Sequence, residues 1–189
     1  MLVEQTSLEG VLLITPKRFE DARGHFSETW SRKILQEVGI DITWVQDNSS
    51  LSRDVGTVRG LHYQAPPHAQ AKLVRCGRGC LFDVAVDIRV GSPTYGHWVG
   101  QELSAENGRQ MLIPEGFLHG FVTRAPETEI LYKCSDYYAP ACDGAVRFDS
   151  PEIGINWGLA GLEPVLSEKD AAAQAFSDFN SPFVYDGAL

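Results

Sequence analysis

An all-β fold, a sandwich or barrel of short strands, is what this chain of 189 residues predicts, and three observations predict it. From Ile42 to Tyr138, short β-rich runs follow one another, separated by turns rich in Gly, Pro and Asp, which is the punctuation of an antiparallel all-β domain. No strand–helix–strand alternation of the kind that builds a parallel sheet occurs. Only two stretches read as helices, and both lie outside that central region.

Taken in order, Val11 to Thr15 forms a short apolar strand, and Phe19 to Glu28 is a polar loop in which Arg and Glu stand among aromatics. That loop is either a solvated turn or a ligand-facing loop, since loops on a rigid scaffold carry binding residues. Ser31 to Val38 is a helix stopped at Gly39. The strands Thr43–Ser50, Thr57–Gln64, Ala71–Cys76 and Cys80–Ile88 follow, with a turn over Arg53–Gly56. After the loop Val90–Gly96 come His97–Leu103, Arg109–Ile113, Leu118–Thr123 and Glu129–Tyr138. The last quarter offers a short strand at Gly154–Ile155 and a helix from about Glu168 to Phe176. Ser167, three residues before Asp170, gives that helix a capping-box start with Asp in place of Glu. The length fits one domain, 1–189, with a core barrel over about 42–140, an N-terminal strand, loop and helix, and a C-terminal helical extension.

Composition narrows the function. The chain is 43% hydrophobic and 22% charged with a net charge of -9, so nucleic acid is not the expected partner, because phosphate binding needs a field of Lys and Arg. No apolar run approaches the ~18 residues of a membrane helix, and the amino terminus lacks a basic region followed by an apolar one. The expectation is a cytoplasmic protein with no membrane partner. Cys76, Cys80, Cys134 and Cys142 form no Cys-x-x-Cys pair and read as reduced thiols.

The stretch from Arg59 to Arg75 gathers His62, Lys72 and two Arg into two strands joined by a Pro-Pro turn. Lys and Arg are seldom buried unpaired, so an anion, or a group that becomes one, is expected nearby. Strand period two sets Lys72 with Val74 and Cys76, His62 with Gly60 and Gln64, and Tyr132 with Ile130 and Cys134; a Lys, a His and a Tyr then point into one interior. Each has a plain alternative: His62 as a satisfied core histidine, Tyr132 as a core aromatic with its hydroxyl on backbone, Lys72 snorkelling to solvent, Asp170 as no more than a cap. The same alternation puts Arg59 opposite His62, so Arg59 shares the interior only at the barrel mouth or beside a bulge. Asp83, in phase with Leu81 and Ala85, is a candidate partner for His119.

Gly108 to Thr123, with Pro114-Glu115-Gly116 and His119, resembles the second cupin motif, with Thr123 where Asn is usual. The resemblance implies a double-stranded β-helix, or jelly-roll barrel, which agrees with the sandwich or barrel read from the strands. Where the first cupin motif supplies metal ligands, this chain has His62, Gln64 and Lys72. Two ligands beside an ammonium are too few for a metal that wants three or four donors, so no metal is expected.

Arg23-Gly24, Gln46-Asp47-Asn48, Arg59-Gly60-Leu61-His62-Tyr63-Gln64, Lys72-Leu73-Val74-Arg75, Phe82 to Arg89, Ile113 to Phe117, His119-Gly120-Phe121, Tyr132-Lys133, Asp136-Tyr137-Tyr138 and Leu166 to Asp170 together resemble the dTDP-4-dehydrorhamnose 3,5-epimerase family. The resemblance implies a cofactor-free homodimeric cupin acting on a dTDP-4-keto-6-deoxy sugar, dTDP-4-dehydro-6-deoxy-glucose. A 4-keto group acidifies the C–H bonds at C3 and C5, so the reaction needs a base, a cation for the enolate oxygen and an acid on the opposite face. His62 suits the base, and Asp170 is implied as the group that fixes its tautomer. Lys72 suits the enolate oxygen and Tyr132 the acid. By the same resemblance Arg23, Glu28, Gln46, Asn48, Arg59, His119, Tyr138, Asp143 and Lys169 contact the substrate, with Phe19 a stacking surface for the base; Arg suits a diphosphate through forked bonds. A mono-epimerase inverting only C3 or only C5 would keep the same base. A metal-dependent cupin oxygenase lacks its ligands here, and a sugar-nucleotide-binding cupin without activity would not need a Tyr opposite a His.

Overall fold

The computed structural model describes residues 1–187; Ala188 and Leu189, the end of the expected 1–189 domain, lie outside the described residues. Its strands are β1 (Leu2–Gln5), β2 (Leu12–Thr15), β3 (Arg18–Asp21), β4 (Gly24–Ser27), β5 (Gln46–Ser52), β6 (Val58–Gln64), β7 (Lys72–Arg78), β8 (Cys80–Asp87), β9 (Trp98–Ser104), β10 (Gln110–Ile113), β11 (Phe117–Thr123), β12 (Thr128–Cys134) and β13 (Asp143–Ala145). Two short helices, α1 (Arg32–Glu37) and α2 (Glu168–Ala171), complete the set. Ten of these strands and β13 form two antiparallel sheets, ordered β1-β2-β10-β7-β12-β5 and β13-β6-β11-β8-β9, the two walls of the jelly roll. The first wall takes in β1 and β2 ahead of the central run of strands, and β13 lies just after it.

Alternation along each strand fills the space between the walls. Leu13, Val74, Met111 and Ile130 from one wall meet Leu81, Ala85, Leu103, Phe117 and Phe121 from the other, all buried. Each wall is also covered outside. Leu12, Ile14, Leu73 and Leu112 lie under Leu35 of α1 and Ile40, while Val58, Val84, Val86 and Leu118 lie under Phe148, Ile153, Trp157, Phe179 and Phe183 of the C-terminal segment. Double coverage explains why β11 is apolar throughout rather than alternating: all seven of its residues are buried.

Four expectations need correction. The polar loop over Phe19–Glu28 is a β-hairpin, β3 paired with β4; it buries no face, so no apolar period marks it, and its turn is set by Gly24 at φ +129° and by Asp21 accepting from the Arg23 backbone N–H at 2.8 Å. Gly154–Ile155 is loop, following a turn over 151–153, with Gly154 at φ +64°. The C-terminal helix stops at Ala171, not Phe176, and the chain then makes a separate 3-10 turn over Phe176–Asp178. The strand expected to run to Tyr138 ends at Cys134. Ser167 caps the helix as expected, its hydroxyl accepting from the Asp170 backbone N–H, while the Asp170 carboxylate turns to His62.

Candidate active site

Two joined hollows open between the walls. One, of about 210 Å³, is bounded by Arg59, His62, Lys72, His119, Tyr132 and Asp170. The other, of about 440 Å³, lies among Gln46, Asn48, Tyr138, Asp143 and Cys134. His62, Lys72, Tyr132 and Lys169 border both.

His62 and His119 are direct cross-strand partners on β6 and β11, and Arg59 pairs with Phe121. Four residues on β6, Arg59 to His62, thus span three on β11, His119 to Phe121, an extra residue that marks a β-bulge. It reverses the alternation between Arg59 and His62 and brings both to one hollow, so of the two alternatives for Arg59 the bulge holds. Gly60 occupies the bulge at φ +127°. Arg59 is steadied by Ser52, whose Oγ accepts from Nε at 3.1 Å, and by the Leu51 carbonyl at 3.2 Å.

His62 Nε2 stands 2.5 Å from Asp170 Oδ1, with the His62 side chain 32% exposed and Asp170 4%. Burial works to raise the Asp170 carboxyl, but hydrogen bonds from His62, Ser167 and the Gly60 backbone outweigh it and hold it below the ordinary carboxylate value. With Nε2 turned to a carboxylate, Nδ1 is left for the hollow. A second pair of the same kind lies deeper: His119 Nε2 is 2.7 Å from Asp83 Oδ1, the pairing expected from sequence. Asp83 is fully buried and its Oδ2 has no hydrogen-bond partner among the described residues.

Lys72 opens β7 opposite Cys134, and Tyr132 lies opposite both Val74 and Asn48, as the strand period requires. Burial pushes the Lys72 ammonium below its ordinary value, opposed by Cys134, Asp83 and Asp143. Burial pushes the Tyr132 phenol up, helped by Cys134 and opposed by Arg59, so it remains a proton donor at neutral pH. At the mouth, Asp143 accepts from the Tyr138 hydroxyl at 3.1 Å and from the Lys169 ammonium. The Tyr138 backbone N–H donates to Gln46 Oε1 at 3.0 Å, and Gln46 Nε2 to Asn48 Oδ1 at 3.1 Å.

Eleven of the fourteen residues singled out from sequence therefore border or support these hollows. Phe19, Arg23 and Glu28 do not: Phe19, 54% exposed, and Arg23, which projects to solvent, border a separate hollow on the β3–β4 hairpin, and Glu28 directly follows β4. Sequence reasoning missed the work of Gln64. Buried at a cupin ligand position, it donates to the Tyr137 carbonyl at 3.0 Å and accepts from the Ala139 N–H at 2.9 Å, tying down the loop that carries Tyr138. Among the described residues, no three His, Cys, Asp or Glu side chains converge as metal ligands.

A family model described as dTDP-4-dehydrorhamnose 3,5-epimerase matches residues 5–178. A protein of that name from Sinorhizobium fredii is 50% identical, the match covering 98% of this chain and 94% of that protein. One from Salmonella typhimurium is 51% identical over 92% of this chain and 94% of its own. The crystal structure of dTDP-6-deoxy-D-glucose-3,5-epimerase from Legionella pneumophila Philadelphia 1, in complex with dTDP-4-keto-L-rhamnose, superposes with a TM-score of 0.93 at 42% identity, covering 98% of each chain.

Proposed function

The chain belongs to the dTDP-4-dehydrorhamnose 3,5-epimerase family, and from that premise we propose how its one cupin domain performs the reaction. It is an isomerase that inverts C3 and C5 of dTDP-4-dehydro-6-deoxy-glucose to give dTDP-4-dehydrorhamnose, using its own side chains and no cofactor. The observation that carries the assignment of roles is that His62, Lys72 and Tyr132 border the same two hollows. His62 Nδ1 takes the proton from the carbon beside the 4-keto group. Asp170, on Nε2, fixes the tautomer and stabilises the imidazolium that forms. The electrons move onto the keto oxygen, where the Lys72 ammonium stabilises the enolate. Tyr132 returns a proton to the carbon from the opposite face, and reprotonation there inverts the centre.

The remaining groups hold the nucleotide. Arg59 and His119 suit the diphosphate, and Tyr138, Asp143, Lys169, Gln46 and Asn48 at the mouth suit the nucleoside. Phe19, Arg23 and Glu28 complete the site in a homodimer, with the hairpin of one protomer reaching into the partner's cavity; its exposure in the single chain, with Phe19 and Phe26 both uncovered, supports this reading. The protein acts in the cytoplasm on a small molecule, without nucleic acid or membrane. Among the described residues no helix is long and apolar enough to cross a membrane.

The test is proton exchange in deuterated water with chelator present. Deuterium entering at both C3 and C5 of dTDP-4-dehydro-6-deoxy-glucose is the expected result. Entry at one carbon alone would make the protein a mono-epimerase, and entry at neither would remove the assignment.

A further inference from the structure

Gln64 closes β6 two residues beyond His62, in the same strand phase, and is buried. Its amide is fully engaged: Nε2 donates to the carbonyls of His68 and, at 3.0 Å, of Tyr137, while Oε1 accepts from the Ala139 backbone N–H at 2.9 Å. A buried amide demands such partners. This one side chain therefore holds the backbone immediately before and immediately after Tyr138.

The loop has other ties, but they lie at its ends. Ser135 fixes its start: the Ser135 N–H donates to the Ala71 carbonyl, and the Ser135 Oγ accepts from the Ala71 N–H at 2.8 Å. Gln70 Nε2 then donates to the Asp136 carbonyl at 2.8 Å. Its end is fixed by the Cys142 carbonyl, which accepts from the Ala65 N–H. From 137 to 139, among the described residues, the backbone bonds to the barrel are those of Gln64 and the one from the Tyr138 N–H to Gln46. The Tyr138 side chain is 57% exposed and joins no buried apolar cluster among the described residues. Its place is thus set by its backbone and by the bond from its hydroxyl to Asp143, not by packing.

We propose that Gln64 is a positioning residue for nucleotide binding: from inside the barrel its amide fixes the 137–139 backbone and so sets where Tyr138 stands at the mouth. With both N–H groups already engaged, it acts through Tyr138 rather than on the ligand. The inference rests on the reading that the mouth holds the nucleoside.

Gln64→Met, similar in length but unable to make these bonds, tests it in a double-mutant cycle with Tyr138→Ala. Calorimetry with dTDP gives Kd, and turnover gives kcat and KM, for the full-length protein and its three variants. Gln64→Met should raise the dTDP Kd roughly tenfold and Tyr138→Ala by a similar factor, within what an aromatic ring against a base contributes. The double variant should bind little worse than either single one. KM should rise in step with Kd while kcat stays within about threefold, the split expected when binding rather than chemistry is lost. An unchanged Kd in Gln64→Met overturns the proposal. So does an increase that adds in full to that of Tyr138→Ala, or a fall in kcat greater than the rise in KM. If Tyr138→Ala itself leaves dTDP binding unchanged, the nucleoside does not lie at the mouth, and the use assigned to Gln64 falls with that reading. Should Gln64→Met not fold, Gln64→Glu, which keeps the acceptor for Ala139 and loses the donors, takes its place in the same cycle.

Discussion

Gly60→Ala probes the geometry that brings Arg59 and His62 to one hollow. Gly60 has φ +127°, and a Cβ there would lie 2.6 Å from Gly120 Cα and 2.8 Å from the His119 carbonyl oxygen. Both neighbours are backbone, so no side chain can rotate away and β6 must separate from β11. The backbone conformation alone costs about 1–3 kcal/mol for a residue with a Cβ, and the overpacking about 1–3 kcal/mol more. Gly91→Ala supplies the control: its φ is +88° but nothing lies within 4 Å, so it carries only the conformational part. Urea denaturation should therefore rank Gly60→Ala as the more damaging by about 1–3 kcal/mol. The effect on activity should exceed the effect on stability, since His62 and His119 ride on the two strands forced apart and a shift of ~1 Å can cost ~100-fold. If Gly60→Ala is as mild as Gly91→Ala in denaturation and keeps its kcat, the close approach of β6 and β11 does not position the base.

Three more outcomes follow from the same structure. Tyr132→Phe should leave deuterium exchange at the first carbon intact while inversion drops by ~100- to 10,000-fold, seen by NMR as labelled starting material without product; equal loss of both would give Tyr132 another role. Mixing inactive Arg23→Ala and Lys72→Met proteins should restore part of the activity if the hairpin serves the partner's cavity, because some mixed dimers then hold one intact site; no recovery under conditions of subunit exchange would put the hairpin in its own site. Asp87 is fully buried and accepts from Arg89, Ser92 and Thr94; burial works to raise its carboxyl, yet these bonds hold it below the ordinary value. Its contribution is therefore complete above the unfolded carboxylate value of about 3.9 and is lost as pH falls through the lower folded value. Asp87→Asn, which leaves Arg89 buried without its counter-charge, should cost about 3–5 kcal/mol at pH 7 in urea denaturation and flatten the acid limb of the stability curve.

The barrel was legible because its strands carry β-rich runs and its turns carry Gly, Pro and Asp. His62, Lys72 and Tyr132 were legible because a two-residue period is enough to say which side chains share a face. Arg59 was not, because one inserted residue reverses the period and nothing local in Val58-Arg59-Gly60-Leu61 announces how many residues the partner strand sets against it. The β3–β4 hairpin escaped for a different reason: with no face against the core it has no apolar alternation to detect. The early end of α2 escaped because Ala172 and Ala173 favour helix, and the chain there instead follows the packing of Phe176 and Phe179 against the outer wall. Gln64 was read as a missing ligand, whereas its amide secures a loop from a distant part of the sequence, a contact that only the fold creates.

Strand β8 carries Asp83 and Asp87 four residues apart on its inward face. Slipping β8 by one residue against β11 would carry both carboxylates to the outer face, among Phe148, Trp157 and their apolar neighbours. A slip of two would keep the face but part Asp83 from His119. In either mispaired state a buried acid is left without its partner, at a cost of several kcal/mol, which an apolar strand of the same length would not incur. The Asp83–His119 pair therefore acts as a ruler during assembly: it leaves β8 a single alignment that the finished barrel can tolerate, and so protects the fold from near-native mistakes.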